Sequence, residues 1–192
     1  MKKIILASGS KQRRRLLKLL GLKFYVIPSQ VEEKTKIVSS CAALVKQNAL
    51  LKALDVASRL REGIVIGADS VVYTGNRKII GKPSTKEEAK QILRLLSSSP
   101  QWVYTGIAVI DVGQNGKLID YEKTKVFMNP LTDEEIDAYH SRVSPFEKAG
   151  GFDIEGLGSI FIHRIEGCYT NVIGLPMAKL AEMLKKMGIK IL

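Results

Sequence analysis

Two long stretches that read as strands, residues 102–111 and 117–128, are separated by little more than Gly113-Gln114-Asn115-Gly116. Glycine and asparagine tolerate the backbone conformations of tight turns, so the pair is expected to be a hairpin of two long strands. This hairpin constrains the fold, because the chain before it follows another pattern. Short apolar runs at residues 3–7 and 24–28 alternate with helical periods. One period places Leu16, Leu17, Leu19 and Leu20 within residues 11–20 and stops at Gly21; the next carries Leu44, Leu51, Leu54 and Leu60 within residues 39–60 and stops at Gly63. Alternating strands and helices favour a parallel sheet, while the hairpin requires antiparallel neighbours. The predicted class is α/β with a sheet of mixed direction flanked by helices.

The remaining segments fit that frame. Residues 64–73 form an apolar, β-branched strand interrupted by Gly67-Ala68-Asp69-Ser70, and Thr74-Gly75-Asn76-Arg77 has hairpin-turn chemistry leading to a return strand at 78–80. A helix is expected over 85–96, with Thr85 and Glu88 as a capping box, and another over 133–141 behind Thr132 and Glu135. Residues 160–165 read as the last strand and 177–187 as a closing helix after Pro176. With 192 residues, 45% of them hydrophobic, the chain can bury one full-sized core. It contains no internal repeat, low-complexity tract or evident linker, so residues 1–192 are read as one domain with two lobes.

No apolar run approaches the ~20 residues of a membrane-spanning helix. The opening Met1-Lys2-Lys3-Ile4-Ile5-Leu6 loses its apolar character sooner than a signal core of ~7–15 residues would. The expected location is the cytoplasm, with no membrane partner. Cys41 and Cys168 have neither disulfide-framework nor zinc-ligand spacing and read as packing residues. With only His140 and His163 present, any metal must be held by carboxylates, which favours Mg²⁺ or Mn²⁺. Thirty Lys and Arg against 19 Asp and Glu leave a formal charge of +11, which suits nucleic acid, a small polyphosphate or merely a solvated surface.

The distribution of polar residues favours the polyphosphate. Ser8-Gly9-Ser10-Lys11-Gln12-Arg13-Arg14-Arg15 lies between a strand and a helix, where free backbone N–H groups and the helix dipole attract anions. Ser8 and Ser10 add hydroxyls, and arginines grip phosphate bidentately. Basic residues crowded at a helix start oppose the dipole, which points to an anionic partner; the P-loop pattern is absent. Asp69 is a carboxylate inside an apolar strand, costly without a cation or metal beside it. Gly81-Lys82-Pro83 holds a lysine between two backbone-restricting residues, and Glu32-Glu33 offers a second carboxylate for a metal. The Gly-rich stretch from Phe146 to Pro176, with Glu147, Lys148, Asp153, Glu155 and Asn171, has the character of a binding loop.

Taken in order, these motifs resemble the Maf family of nucleoside triphosphate pyrophosphatases. The matching pieces are Leu6-Ala7-Ser8-Gly9-Ser10 with Arg13-Arg14, Gly67-Ala68-Asp69-Ser70-Val71-Val72, and Gly81-Lys82-Pro83 with Glu88-Ala89. Tyr104-Thr105-Gly106, Pro145-Phe146-Glu147-Lys148-Ala149-Gly150 through Gly156, Glu166-Gly167 and Asn171-Val172-Ile173-Gly174-Leu175-Pro176 complete the set. The resemblance implies an elongated mixed sheet akin to that of inosine triphosphatases, with a cleft between two lobes. It also implies hydrolysis of ordinary or modified NTPs to NMP and pyrophosphate with a divalent cation. On this basis Asp69 is the expected general base or metal carboxylate, Glu33 assists at the metal, and Lys82 joins them in catalysis. Ser8, Ser10, Arg13, Lys52 and Lys82 are the expected phosphate grip; Lys52 is implied by the resemblance alone.

The chain also departs from the family. The usual Pro-Arg after the second loop serine is Lys11-Gln12 here. Pyrimidine-preferring members carry arginine at the position of Gln12, threonine at Ser70 and glutamine at Glu155. Members resembling 7-methyl-GTP pyrophosphatases have glutamate at the last position but tryptophan and glutamine at the other two. Gln12, Ser70 and Glu155 are thus candidate substrate contacts, and the base is left unassigned. A basic nucleic-acid-binding or division-regulatory module is the alternative, since the family is linked by name to septum formation. Against it, aromatic residues make up only 6% of the chain and no stacking motif or basic stripe stands out beyond the first helix. A homodimer is left open.

Overall fold

The computed structural model describes residues 2–75, 79–147 and 149–192. Their elements are β1 (Ile4–Leu6), α1 (Lys11–Leu19), β2 (Phe24–Val26), α2 (Cys41–Ala57), β3 (Ile64–Tyr73), β4 (Ile79–Ile80) and α3 (Lys86–Ser98), then β5 (Gln101–Asp111), β6 (Gly116–Met128), α4 (Asp133–Arg142), β7 (Ile162–Glu166), α5 (Tyr169–Ile173) and α6 (Met177–Lys186). The seven described strands form one sheet in the order β2-β1-β3-β5-β6-β7, with β4 added to β3. β1 pairs in parallel with β2 and β3, whereas β3–β4 and β6–β7 are antiparallel, so the sheet is mixed as predicted. Asn115 at the β5–β6 turn has φ 52°, the left-handed conformation for which asparagine is well suited. No described helix is long and apolar enough to cross a membrane.

Differences from expectation are local. The second helix is shorter than its periodicity, because extended Ser40 caps it and accepts a hydrogen bond from the Ala43 N–H. Thr85 accepts from the Glu88 N–H, but the Glu88 carboxylate reaches the Ser84 N–H instead of closing the box on Thr85. Thr132 and Glu135 do form the reciprocal pair. The expected strand at 160–165 begins later, since a 3-10 turn occupies Leu157–Phe161 and ties the Ser159 N–H to the Gly156 carbonyl. α5, five residues long, is too short to leave a periodic signal. The expected turn residues Asn76 and Arg77, the start of the return strand at Lys78, and Lys148 lie outside the described residues.

The chain divides into two compact units, one of residues 2–70, 105–122 and 173–192, the other of the described residues in 71–104 and 123–172. In the first unit strand alternation sends side chains to two cores. Ile4, Leu6, Ile64, Ile66, Ile107 and Val109 pack with Leu16 and Leu17 of α1 and Leu180 and Leu184 of α6. Ile5, Ala7, Val65, Ala108 and Ile110 pack against Ala49, Ala53, Val56 and Ala57 of α2. Both faces of these strands are covered, which is why they read as nearly continuous apolar runs.

The α2 core is thin for a specific reason. A Cβ on Gly67 would stand 2.2 Å from the Ala49 carbonyl oxygen, and one on Gly106 would stand 2.2 Å from the Val45 carbonyl oxygen. Helix α2 therefore rests directly on the backbone of β3 and β5, with its own alanines turned inward.

In the second unit Leu93 of α3, Ile136 and Tyr139 of α4 and Phe161 form a separate core, and Lys90 and Arg94 pair with Asp137 and Asp133 across the two helices. His140 lies beside Tyr139, its ring 5.5 Å from the phenol ring, and its Nε2 is buried with no partner among the described residues. Burial lowers the His140 pKa, opposed by a backbone hydrogen bond to Gly151 and by Asp137.

Three outcomes are expected. Gly67→Ala should lose about 3 kcal/mol in urea unfolding, because a backbone oxygen cannot step aside for the methyl group. Gly81→Ala, where an added Cβ meets nothing within 4 Å, should change stability by under about 0.5 kcal/mol. For His140 the folded state disfavours the proton, so its contribution is complete above the unfolded value of about 6.5 and is lost as pH falls through the lower folded value. His140→Phe should therefore show a shallower loss of urea midpoint between about pH 7.5 and 5.5 than the unchanged protein; parallel curves would refute the assignment.

Candidate active site

The first unit gathers a group of polar side chains where β1 ends and β3 continues. After Leu6 and the buried Ala7 the chain turns through Ser8-Gly9-Ser10 into α1. The Ser10 hydroxyl caps that helix by accepting from the Arg13 N–H, and the Ser8 hydroxyl accepts from the Ser10 N–H at 3.3 Å. The loop is thereby fixed from within, and no acidic residue occupies the first turn of α1.

Arg13 projects from that first turn across the sheet. Its Nε donates to the Gly174 carbonyl at 2.9 Å, one terminal nitrogen to the Ala68 carbonyl at 2.8 Å and Ser8 Oγ at 3.3 Å, and the other to Ser70 Oγ at 3.0 Å. A guanidinium has five N–H donors in a rigid fork. Four bonds go to protein acceptors, so Arg13 holds β1, β3 and the turn before α6 in register. Burial lowers its pKa, while the charges of Asp69 and Glu33 act in the opposite direction.

Asp69 sits on the α2 side of β3 and is 4% exposed. Its Oδ1 accepts from Lys52 Nζ at 2.8 Å and its Oδ2 from Asn48 Nδ2 at 2.9 Å. Asn48 and Lys52 are four residues apart on α2, one turn above the other, so the helix presents both donors to one carboxylate. Lys52 Nζ also meets Glu33 Oε1 at 2.6 Å. Glu33 arrives from the segment between β2 and α2, and Asn48 fixes that segment: it accepts from the Lys34 N–H and donates to the Lys34 carbonyl, both at 2.9 Å. One amide thus pins the Glu33 segment and orients Asp69.

The expected site residues are distributed as follows. Ser8, Arg13, Glu33, Lys52, Asp69 and Ser70 come together in the first unit. Ser10 serves as a helix cap and also donates to Gln12 Oε1 at 3.2 Å. The Ser70 hydroxyl is shared between Arg13 and Thr105 Oγ1, the latter at 2.8 Å. Lys82 and Glu155 belong to the second unit. There Lys82 is exposed beside Gly81, whose carbonyl accepts from the Gly150 N–H at 3.2 Å, so two separately recognised loops meet. Glu155 is half-buried in a turn in which its N–H donates to Asp153 Oδ1. Asn171 has a structural place, donating to the Val103 carbonyl and Thr124 Oγ1. Asn48 is the residue that sequence reasoning overlooked. Its signal is the i, i+4 pair Asn48 and Lys52 on the face of α2 whose other residues, such as Val45, Ala49, Ala53 and Val56, are apolar.

Two carboxylate oxygens meeting at one ammonium are hard donors that fit a hard divalent cation. Among the described residues no group of three or more His, Cys, Asp or Glu could hold a metal. A pair suffices for Mg²⁺, which usually takes one or two carboxylates and completes its shell with water and substrate phosphates.

An open mixed sheet flanked by helices is also the architecture of Ham1 proteins. The structure from Coxiella burnetii superposes with a TM-score of 0.53 at 17% identity, covering 97% of this chain and 100% of that one. The Staphylococcus aureus Ham1 protein gives 0.51 at 16% identity, covering 98% and 100%. At such identities the likeness is one of fold. Sequence goes further: the model of Maf-like proteins matches residues 3–187, and this chain belongs to the Maf family. Among its relatives are a dTTP/UTP pyrophosphatase of Bacillus anthracis, 46% identical over 191 residues (100% of this chain, 98% of the relative), and one of Pelotomaculum thermopropionicum, 44% identical over 192 residues and covering both chains fully.

Asn48→Ala should destabilise the chain by about 1–3 kcal/mol, since it strands the buried Asp69 oxygen and frees the Lys34 peptide. Amide exchange at Lys34 should accelerate at least about tenfold in the same variant. Asn48→Asp, which cannot donate and adds a charge beside Asp69, should cost more than the alanine; the reverse order in urea unfolding would contradict the assigned geometry.

Proposed function

We propose that this chain is a nucleoside triphosphate pyrophosphatase, cleaving the bond between the α- and β-phosphates to release a nucleoside monophosphate and pyrophosphate. The observation that carries the reading is the meeting of Asp69 and Glu33 at Lys52 Nζ, in a chain 46% identical over its whole length to a dTTP/UTP pyrophosphatase.

The charges of the cluster bear on the chemistry. Arg13 and Lys52 balance Asp69 and Glu33 formally, so the cluster has no surplus positive charge for a triphosphate. A divalent cation held by Asp69 and Glu33 would supply that charge and polarise the phosphate oxygens. Asp69, fixed at both oxygens by Lys52 and Asn48, is the candidate to accept a proton from the attacking water. Lys52 Nζ also donates to the Ala68 carbonyl at 3.4 Å, the longest of its three contacts, and a phosphate oxygen would take the place of that carbonyl while both carboxylates stay bound. The Ser8–Ser10 turn is a further donor for the leaving pyrophosphate, whose charge grows as the bond breaks, and the family resemblance assigns the same role to Lys82.

The names of the relatives support dTTP and UTP as substrates. At the three positions where members differ this chain carries Gln12, Ser70 and Glu155, so its base preference is a property to measure. Ser70, engaged by Arg13 and Thr105, is placed to position the guanidinium.

A pyrophosphate-release screen over ordinary and modified NTPs, with Mg²⁺ and with Mn²⁺, tests the reading. Turnover should be highest with dTTP or UTP and should vanish on chelation of the metal. Asp69→Asn and Lys82→Ala should each lower kcat by about 10²–10³ while the far-UV spectrum is unchanged. Full activity in Asp69→Asn would sink the mechanism.

A further inference from the structure

The second unit has a sheet face that the proposed chemistry leaves unused. Alternation puts Tyr73 of β3, Trp102 and Tyr104 of β5, and Lys123, Lys125 and Phe127 of β6 on one side, while Val103, Thr124 and Val126 are buried between them on the other. Phe127 lies opposite Arg164 of β7. None of these seven outward residues is fully buried.

The face has a definite order. Tyr73 packs against Trp102 and Tyr104, with ring centroids 6.4 Å away in each case. Lys123 Nζ stands 5.6 Å from the Trp102 ring and 5.4 Å from Tyr104; Lys125 Nζ stands 5.3 Å from Trp102 and 4.8 Å from Phe127. The Arg164 guanidinium covers Phe127 at 4.2 Å and is paired at 2.9 Å with Glu166, the residue opposite Lys125 on β7. Rings and cations therefore alternate across four strands.

We propose that this face binds single-stranded nucleic acid. Bases freed from a duplex stack on aromatic rings carried by a sheet, and basic side chains among the rings take the phosphates. Lys123 and Lys125 satisfy both needs, because their flexible stems let the ammonium leave a ring for a phosphate and expose the ring to a base. Charge separates this partner from others. Glu166 already answers Arg164 within the chain, and a symmetric second copy would bring Lys123 and Lys125 against their own equivalents in a chain that carries +11. An acidic peptide would satisfy the cations but make no use of the rings, and a duplex keeps its bases stacked inside. The sequence hid the platform because its rings come from three separate strands and its cations from two.

Trp102 is the only tryptophan, so its fluorescence reports on this face directly. The full-length protein would be titrated at low salt with an oligothymidylate of about a dozen nucleotides bearing a 5′-hydroxyl, within the ~4–16-nucleotide range of single-strand sites. Saturable quenching at micromolar concentration is expected, with affinity falling as salt rises. Lys123→Gln with Lys125→Gln should reduce the log–log salt slope by about 1.4, at ~0.7 per phosphate contact, and leave pyrophosphate release from NTPs intact. Trp102→Leu, followed by anisotropy of a labelled oligonucleotide, should bind about tenfold more weakly. Absence of quenching, equal binding of a duplex, or loss of quenching on adding a non-hydrolysable triphosphate would overturn the proposal. A sedimenting dimer that the double lysine variant dissociates would overturn it too, by giving the face to a second copy.

Discussion

The ammonium of Lys52 is the point on which the first unit turns. A carboxylate in the middle of an apolar strand is tolerated only with a partner, and Asp69 obtains its partner from a helix, not from the sheet. That requirement fixes the height of α2 above β3, and the same ammonium then draws in Glu33 from a segment with no regular structure of its own. Strand, helix and loop are joined by one buried charge. Asn48 shares the task with hydrogen bonds alone, pairing with the Lys34 peptide much as a neighbouring strand would.

Arg13 has a different character from the one its motif suggests. A basic loop before a helix reads as an anion grip, and the helix start does carry cations with no acidic residue to offset them. Yet the guanidinium spends its rigid fork on Gly174, Ala68, Ser8 and Ser70. The motif thus marks a brace as much as a ligand-binding group. Lys11 and Arg14, exposed on the same turn, remain open to solvent and to any anion that arrives there.

Much of the fold was legible because periodicity and caps are local. The GQNG turn, the Thr132–Glu135 box and the apolar runs of β1 and β3 each state their structure within a few residues. What was hidden depends on contacts between distant segments. Lys52 came only through family resemblance, and Asn48 not at all, since a buried asparagine and a solvated one look alike in a string of letters. The 3-10 turn before β7 reads as strand because Ile160 and Phe161 are apolar, although only Phe161 faces a core. The aromatic and cationic face escaped for the same reason: residues 73, 102, 104, 123, 125 and 127 acquire a common side only when strands β3, β5 and β6 lie together in the sheet.

The glycines beneath α2 have a consequence for how such a protein can change. Replacing glycine by alanine is a common route to greater stability, because it restricts the unfolded chain. At Gly67 and Gly106 that route is closed by backbone oxygens, and enlarging Ala53, which already crowds Gly67, meets the same wall from the other side. A lineage cannot loosen this contact to gain robustness and still let Lys52 reach its carboxylate. Adaptation to heat would have to proceed elsewhere, through surface charge and loop shortening, with the helix–sheet seam inherited unaltered.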